Sequence, residues 1–242
     1  MKKTKNAIIV PTLNEEDNIE PLLKGIYSHE IDFQVIFVDD NSKDRTREII
    51  NKFKRKNKLI HLIERPKKMG IGTAQIAGMK YAIENLDCEL IFTMDADLSH
   101  DPNDLPKFFE KINEGADVVI GSRYFKGGKI IGWGFYRKLK SRIANSLARI
   151  VLGLKTRDVT TGYRGYKRKV LEKIDYKNIK SKGYSALQEL LYLSKRKKFR
   201  IEEFPVILID RIEGESKLTS KEVLSFLKNL FSLKIKTIKK EI

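Results

Sequence analysis

Acidic residues collect directly after short apolar runs in this chain. Ala7–Val10 leads into Pro11-Thr12-Leu13-Asn14-Glu15, Val35–Val38 into Asp39-Asp40-Asn41-Ser42, and Leu90–Met94 into Asp95-Ala96-Asp97-Leu98-Ser99-His100. One such carboxylate has an ordinary explanation, because aspartate commonly caps a following helix. Acidic ends on several runs at once point instead to a shared site. Two aspartates one residue apart, beyond a buried strand, can share a hard divalent cation through oxygen ligands. Such a cation neutralises a diphosphate and stabilises its departure. An acidic residue on an earlier strand end can accept hydrogen bonds from the ribose or base of a nucleotide. The overall charge sharpens the contrast: Lys+Arg is 49 against Asp+Glu 32, a net charge of +17. A chain this basic that still gathers carboxylates in one place is arranged to hold a metal there. Its surplus charge calls for an anionic partner, whether nucleic acid, phosphorylated small molecule or lipid surface.

The elements that would position these residues alternate. Ala7–Val10, Val35–Val38, Leu59–Ile63, Leu90–Met94 and Val118–Ile120 are rich in Ile, Val and Phe and predict buried strands. Asn14–Tyr27 carries Ile19, Leu22, Leu23 and Ile26 on one helical face, with Asn14 as the expected cap. Ser42–Lys54 and Gly72–Leu86 predict two more helices. Strand–helix–strand alternation implies an α/β fold with a mostly parallel, right-handedly wound sheet flanked by helices. Ligands of such sheets bind beyond the carboxyl ends of the strands. The second half is less regular. Lys126–Gly134 is glycine-rich and predicts a mobile loop, Phe135–Leu152 a basic amphipathic helix, Thr161–Tyr166 and Ile201–Ile209 strands, and Ser185–Ser194 a helix. The organisation expected is a catalytic domain over 1–217, followed by a basic amphipathic helix over 218–242 suited to a membrane interface.

Composition excludes several classes. Hydrophobic residues make up 41% of the 242, enough for a real core, so wholesale disorder is not expected. A single cysteine, Cys88, rules out an internal disulfide framework and a cysteine-based zinc site. His29, His61 and His100 lack ligand spacing. No apolar run approaches the roughly 18 residues of a membrane span. The N-terminal apolar stretch is too short for a signal peptide, so a cytoplasmic protein is expected, and its basic amphipathic segments would place it peripherally on the cytoplasmic face of a membrane.

The fragments PTLNE, VDDNSKDRT, MGIGTAQIAG, MDADLSH, GSRY, DVTTGYRGY and RIEGESK occur in the order seen in glycosyltransferase family 2. Spread over almost the whole catalytic region, they most resemble the dolichyl- or polyprenyl-phosphate mannose synthases that lack transmembrane helices. The resemblance implies a GT-A fold. It also implies metal-dependent, inverting transfer of mannose from GDP-mannose to a polyprenyl (dolichyl) phosphate, with Mg²⁺ or Mn²⁺ as cofactor. Matched motif by motif, Pro11, Leu13, Glu15, Val38 and Asp40 would form the nucleoside pocket. Asp95, Ala96 and Asp97 would meet the diphosphate and metal, with Asp97 the principal metal ligand and Asp95 in support. Ser99 stands where some relatives have glutamine as a metal ligand, and its shorter hydroxyl suits a bridging water. Leu13 stands where the family often has tyrosine, which implies weaker stacking on the base.

Arg123 of GSRY reaches the same sheet edge and is assigned to catalysis with Asp95 and Asp97. The resemblance further implies that Lys182, Arg211 and Lys217 would join it in holding the donor's phosphates, and that Arg123 with Arg137 would meet the acceptor's phosphate, contacts that guanidinium and ammonium groups suit. Alanine at Arg123, Arg211 or Lys217 is therefore expected to harm transfer more than stability. His100 is an unneeded base, since a lipid monophosphate is already anionic near neutral pH. The acceptor implies a membrane surface as partner, reached through Phe135–Leu152 and Ser220–Ile242. Relatives of this sort also use a small membrane-anchored subunit. A UDP-glucose-dependent polyprenyl-phosphate glucosyltransferase, or another family 2 enzyme, would preserve the same fold and metal site. A basic nucleic-acid-binding protein explains the charge but not the aspartates, and no RNA-binding signature is present, so no nucleic-acid partner is expected.

Overall fold

The computed structural model describes residues 4–176, 179, 184–210 and 230–235. Its first half runs β1 (Asn6–Thr12), α1 (Ile19–Ile26), β2 (Gln34–Asp39), α2 (Thr46–Lys56), β3 (Ile60–Glu64), α3 (Ile71–Asn85), β4 (Leu90–Thr93), α4 (Leu105–Asn113) and β5 (Val118–Ser122). The remainder runs β6 (Lys129–Ile131), α5 (Phe135–Leu152), β7 (Arg164–Lys167), α6 (Arg168–Ile174), α7 (Tyr184–Arg196), β8 (Ile201–Pro205) and β9 (Ile207–Ile209). The main sheet has the strand order β3-β2-β1-β4-β7-β5-β8. Every neighbouring pair is parallel except those made by β7, which runs antiparallel between β4 and β5. The carboxyl ends of β1, β2, β4 and β5 therefore share one edge, as the sequence predicts.

Strand β2 is buried along its whole length, and this is why its sequence is a continuous apolar run rather than an alternating one. Successive side chains still go to opposite faces. Ile9, Ile36 and Val38 pack with residues of α3, α5, α6 and α7. Ile8, Val10, Val35 and Phe37 pack with residues of α1, α2 and α4. Leu230 and Leu233, in a helical segment over 230–235, are buried in the first of these layers, whereas Phe231 and Ile235 are exposed.

Several boundaries differ from the sequence reading. Asn14 does not cap α1, which begins at Ile19; Asn14 has φ 58°, and the segment after it makes a lateral brace. The Asn14 amide donates to Ser42 Oγ (2.9 Å), the Glu15 amide to Thr46 Oγ1 (2.8 Å), and the Lys43 amide to Asn14 Oδ1 (2.8 Å). Backbone donors that a helix would have used are spent joining the ends of β1 and β2. The glycine-rich segment 126–134 is not wholly loop, since β6 lies within it and pairs in parallel with β9. The stretch 201–209 is two strands: β8 belongs to the main sheet and β9 to the small one. Helix α4, not foreseen, buries Leu105, Phe108 and Ile112. Helix α6 was not foreseen either, and it buries Val170, Leu171 and Ile174.

Candidate active site

The loop after β4 is wound by its own side chains. Asp97 Oδ1 accepts the Ser99 amide at 3.1 Å and the Ser99 hydroxyl at 2.6 Å. Leu98 turns through φ 59°, left-handed backbone that a leucine adopts only when its surroundings fix it. The Asp95 amide donates to His100 Nδ1 at 3.0 Å. Asp95 and Asp97 are both partly exposed, whereas Ala96, Ser99 and His100 are buried beneath them. Ser99 thus orients Asp97 through a hydroxyl hydrogen bond. Among the described residues no group of three or more His, Cys, Asp or Glu is disposed to hold a metal ion. A pair of carboxylates at an open edge suits a cation that takes its remaining ligands from water and from a bound diphosphate, the usual arrangement for Mg²⁺.

Behind this loop the segment before β7 comes close. Thr93 Oγ1 donates to the Gly162 carbonyl at 2.5 Å. A Cβ on Gly162 would lie 3.2 Å from Asp95 Oδ1 and 3.4 Å from Gln75 Nε2. Gln75, on α3, is fully buried, and neither of its amide atoms has a hydrogen-bond partner among the described residues. Only a residue without a side chain at 162 leaves this polar junction open.

At the end of β2 the two aspartates brace different loops. Asp39 is fully buried and accepts the Ser42 amide (2.9 Å), the Ser42 hydroxyl and Thr12 Oγ1 (3.1 Å). Asp40 pairs with Arg65 and accepts the amides of Met69 (3.0 Å) and Gly70 (2.9 Å). Its carboxylate therefore fixes the loop between β3 and α3. Pro11 lies opposite Val38 in the β1–β2 register, with Val38 buried and Pro11 and Leu13 half-exposed. Glu15 accepts the Asn18 side-chain amide at 2.8 Å.

The arginines at this edge carry carboxylate partners that the sequence reading missed. Arg123 makes a two-pronged pair with Asp158, Nε to Oδ2 and Nη2 to Oδ1, both at 2.7 Å, and Nη2 also donates to Thr160 Oγ1 at 2.7 Å. Arg123 is 8% exposed and Asp158 is fully buried. Burial is the largest influence on Asp158 and works against its charge. The Arg123 guanidinium and the hydrogen bonds from Arg123 and Thr160 together outweigh it and hold the carboxyl below its ordinary range. Arg137 donates to both oxygens of Asp210 (3.0 and 2.8 Å), and its guanidinium lies 4.0 Å from the Trp133 ring centroid. Arg123 reaches the same ring at 5.4 Å. The structure thus brings Glu15, Asp40, Asp95, Ala96, Asp97, Ser99 and Arg123 to one sheet edge. Lys182, Arg211 and Lys217 lie outside the described residues. Asp158 was legible only as a member of DVTTGYRGY; no spacing rule pairs it with Arg123 across 35 positions.

The profile of glycosyl transferase family 2 matches residues 7–175. The polyprenol monophosphomannose synthase of Mycolicibacterium smegmatis is 34% identical over 221 residues, covering 90% of this chain and 83% of that protein. The dolichol-phosphate mannosyltransferase of Pyrococcus furiosus is 36% identical over 234 residues, covering 95% of this chain. The match spans 63% of that relative's length, so the chain is shorter than this homologue by a third or more. Among solved structures, glucosyl-3-phosphoglycerate synthase from Mycobacterium tuberculosis superposes with a TM-score of 0.68 at 20% identity. That alignment covers 96% of this chain and 80% of that one. The likeness carries the fold, which is the GT-A arrangement expected from the sequence.

Proposed function

The chain belongs to glycosyl transferase family 2, and from that premise we propose that it transfers mannose from GDP-mannose to a polyprenyl (dolichyl) phosphate. The observation that carries the reading is the Asp95–Asp97 pair, braced by Ser99 and His100 at the carboxyl edge of a sheet in a strongly basic chain. The names of the two relatives support mannose as the sugar and a polyprenyl or dolichyl phosphate as the acceptor.

In this reading the nucleoside rests against Pro11 and Leu13, walled by the loop that Asp40 secures; Val38 is fully buried and backs the pocket from beneath without touching the base. Asp97, with Asp95, would hold Mg²⁺ or Mn²⁺, which supplies charge neutralisation for the departing diphosphate. The Ser99 hydroxyl keeps one oxygen of Asp97 occupied and so sets the direction of the other. An oxygen of the acceptor phosphate attacks the anomeric carbon, the bond from that carbon to the diphosphate oxygen breaks, and its electron pair leaves with the GDP. The anomeric configuration inverts. No general base is required, because the acceptor is already anionic. His100, 3% exposed with Nδ1 engaged by the Asp95 amide, is placed to support the loop and not to take a proton. Arg137, half-exposed, would meet the acceptor phosphate by exchanging the Asp210 carboxylate for it.

A long-chain acceptor places the mouth of the site against a bilayer. Among the described residues no helix is long and apolar enough to cross a membrane. Helix α5 instead presents Phe135 (74% exposed), Tyr136 (77%), Leu139 and Ile143, beside exposed Ile131, Ile207 and Ile209 of the small sheet. This apolar surface adjoins Arg137 and is flanked by Lys129, Lys138, Lys140 and Arg142, the composition of an interfacial docking face. A transfer assay with a panel of nucleotide sugars, combined with competition by GDP and UDP, tests the donor. Stronger competition by GDP and mannose in the lipid product are expected. Preferential competition by UDP with glucose in the product would establish the glucosyltransferase alternative.

A further inference from the structure

We propose that His100 is a positioning residue for Asp95, acting as an obligate hydrogen-bond acceptor through Nδ1, and that this acceptor sets the affinity of the carboxylate pair for its cation. The inference rests on the proposed reading of Asp95 and Asp97 as the metal-holding pair. Its starting point is the contact itself: the Asp95 amide donates to His100 Nδ1 at 3.0 Å, closing a ring of backbone around the whole Asp95–His100 turn. An acceptor at Nδ1 places the proton of a neutral imidazole on Nε2.

The imidazole cannot drift from this role. It is 3% exposed, and it stacks on Tyr163 with ring centroids 4.8 Å apart and planes 14° apart. Tyr163 is itself fully buried, donates its hydroxyl to the Asp101 carbonyl at 2.8 Å, and packs edge-on against Phe108 at 4.8 Å. Asp101 follows His100 directly, so one aromatic ring fixes both the face of the imidazole and the backbone that leaves it. The clamp joins the loop after β4 to the segment 161–163 before β7. Ser99 fixes Asp97 from the other end of the same turn. The two carboxylates are thereby held by separate devices, a hydroxyl for Asp97 and an imidazole nitrogen for Asp95. A cation shared between two carboxylates needs both aimed together, and groups that support ligands in this way typically govern affinity by 10–100-fold.

The test compares amide isosteres of the two ring nitrogens. In His100→Asn the side-chain oxygen falls near the position of Nδ1; in His100→Gln it falls near Nε2. Both lose the stacked ring equally, so their difference isolates the acceptor. Mn²⁺ binding in the presence of GDP, read by electron paramagnetic resonance, should be near the unsubstituted protein's for His100→Asn and weaker by about tenfold or more for His100→Gln. His100→Phe keeps the ring without the acceptor and serves if loss of stacking unfolds the other two; it should bind Mn²⁺ as weakly as His100→Gln at a melting temperature closer to the parent's. Equal Mn²⁺ affinity for the Asn and Gln variants, or parental affinity in His100→Phe, would overturn the proposal. If the unsubstituted protein itself binds no Mn²⁺ with GDP, the metal reading of Asp95 and Asp97 fails first, and this inference falls with it.

Discussion

Replacing Arg123 with alanine should damage the fold before it damages the chemistry. The sequence places Arg123 among phosphate ligands, but its guanidinium is committed to Asp158 through two 2.7 Å hydrogen bonds in a region where Asp158 is fully buried. Removing one partner of a buried pair strands the other charge, which typically costs about 3–5 kcal/mol. The amides of residue 123 (3.1 Å) and Thr161 (3.1 Å) would still reach the carboxylate, which argues for the lower end of that range. The effect should depend on pH with a definite sign. In the native protein Asp158 lies below its ordinary range, so its contribution is present above about pH 4 and is lost as pH falls through the lower folded value. Without Arg123, burial dominates and raises the same carboxyl. The folded variant then takes up a proton more readily than its unfolded chain, and acid narrows its deficit. Urea unfolding at neutral pH and near pH 4 measures both terms. A loss under about 1 kcal/mol at neutrality, or a gap between the two proteins that stays constant into acid, would refute the assignment of Arg123 to structure.

Other expectations follow from the same geometry. Asp97→Asn keeps the size of the side chain and the Ser99 contact but removes a charge; it should fold normally and lose nearly all transfer, and full activity in EDTA would contradict the metal reading. Gly162→Ala would place a methyl 3.2 Å from Asp95 Oδ1, so a fall of about tenfold in kcat with little change in melting temperature is expected from steady-state kinetics. Phe135→Ser combined with Tyr136→Ser removes exposed apolar surface without touching the core. Co-sedimentation with anionic vesicles should weaken, and unchanged binding at low salt would place docking elsewhere.

How much of this was written in the sequence depends on the range of the interaction. Strand ends were legible, because a buried parallel strand announces itself as an apolar run; Asp39 and Asp95 stand directly beyond such runs, and Arg123 follows one after Gly121 and Ser122. Helix α5 was legible to the residue, since Gly134 and Gly153 bracket it and its apolar side is periodic. The brace at Asn14 was not, because the amides of residues 14 and 15 are satisfied by hydroxyls of Ser42 and Thr46, partners that local propensity cannot foresee. Strand β6 escaped notice for a related reason: three residues among glycines become a strand only by pairing with β9, far along the chain. At the site, residue types were readable and their allegiances were not. Arg123 and Arg137 look like free phosphate ligands until Asp158 and Asp210 are placed beside them. His100, attractive as a base by type, is spoken for by a backbone amide five residues earlier.

The chemistry proposed at the Asp95–Asp97 edge is a single in-line displacement, from GDP-mannose to a lipid phosphate. Its most direct measurement is the anomeric configuration of the lipid product, read by NMR after incubation of GDP-α-mannose with polyprenyl phosphate and Mn²⁺. A β-linked mannosyl phosphate is expected, formed by the unsubstituted protein and not by Asp97→Asn. An α-linked product, or no lipid-linked mannose from a preparation that turns over another nucleotide sugar, would contradict it.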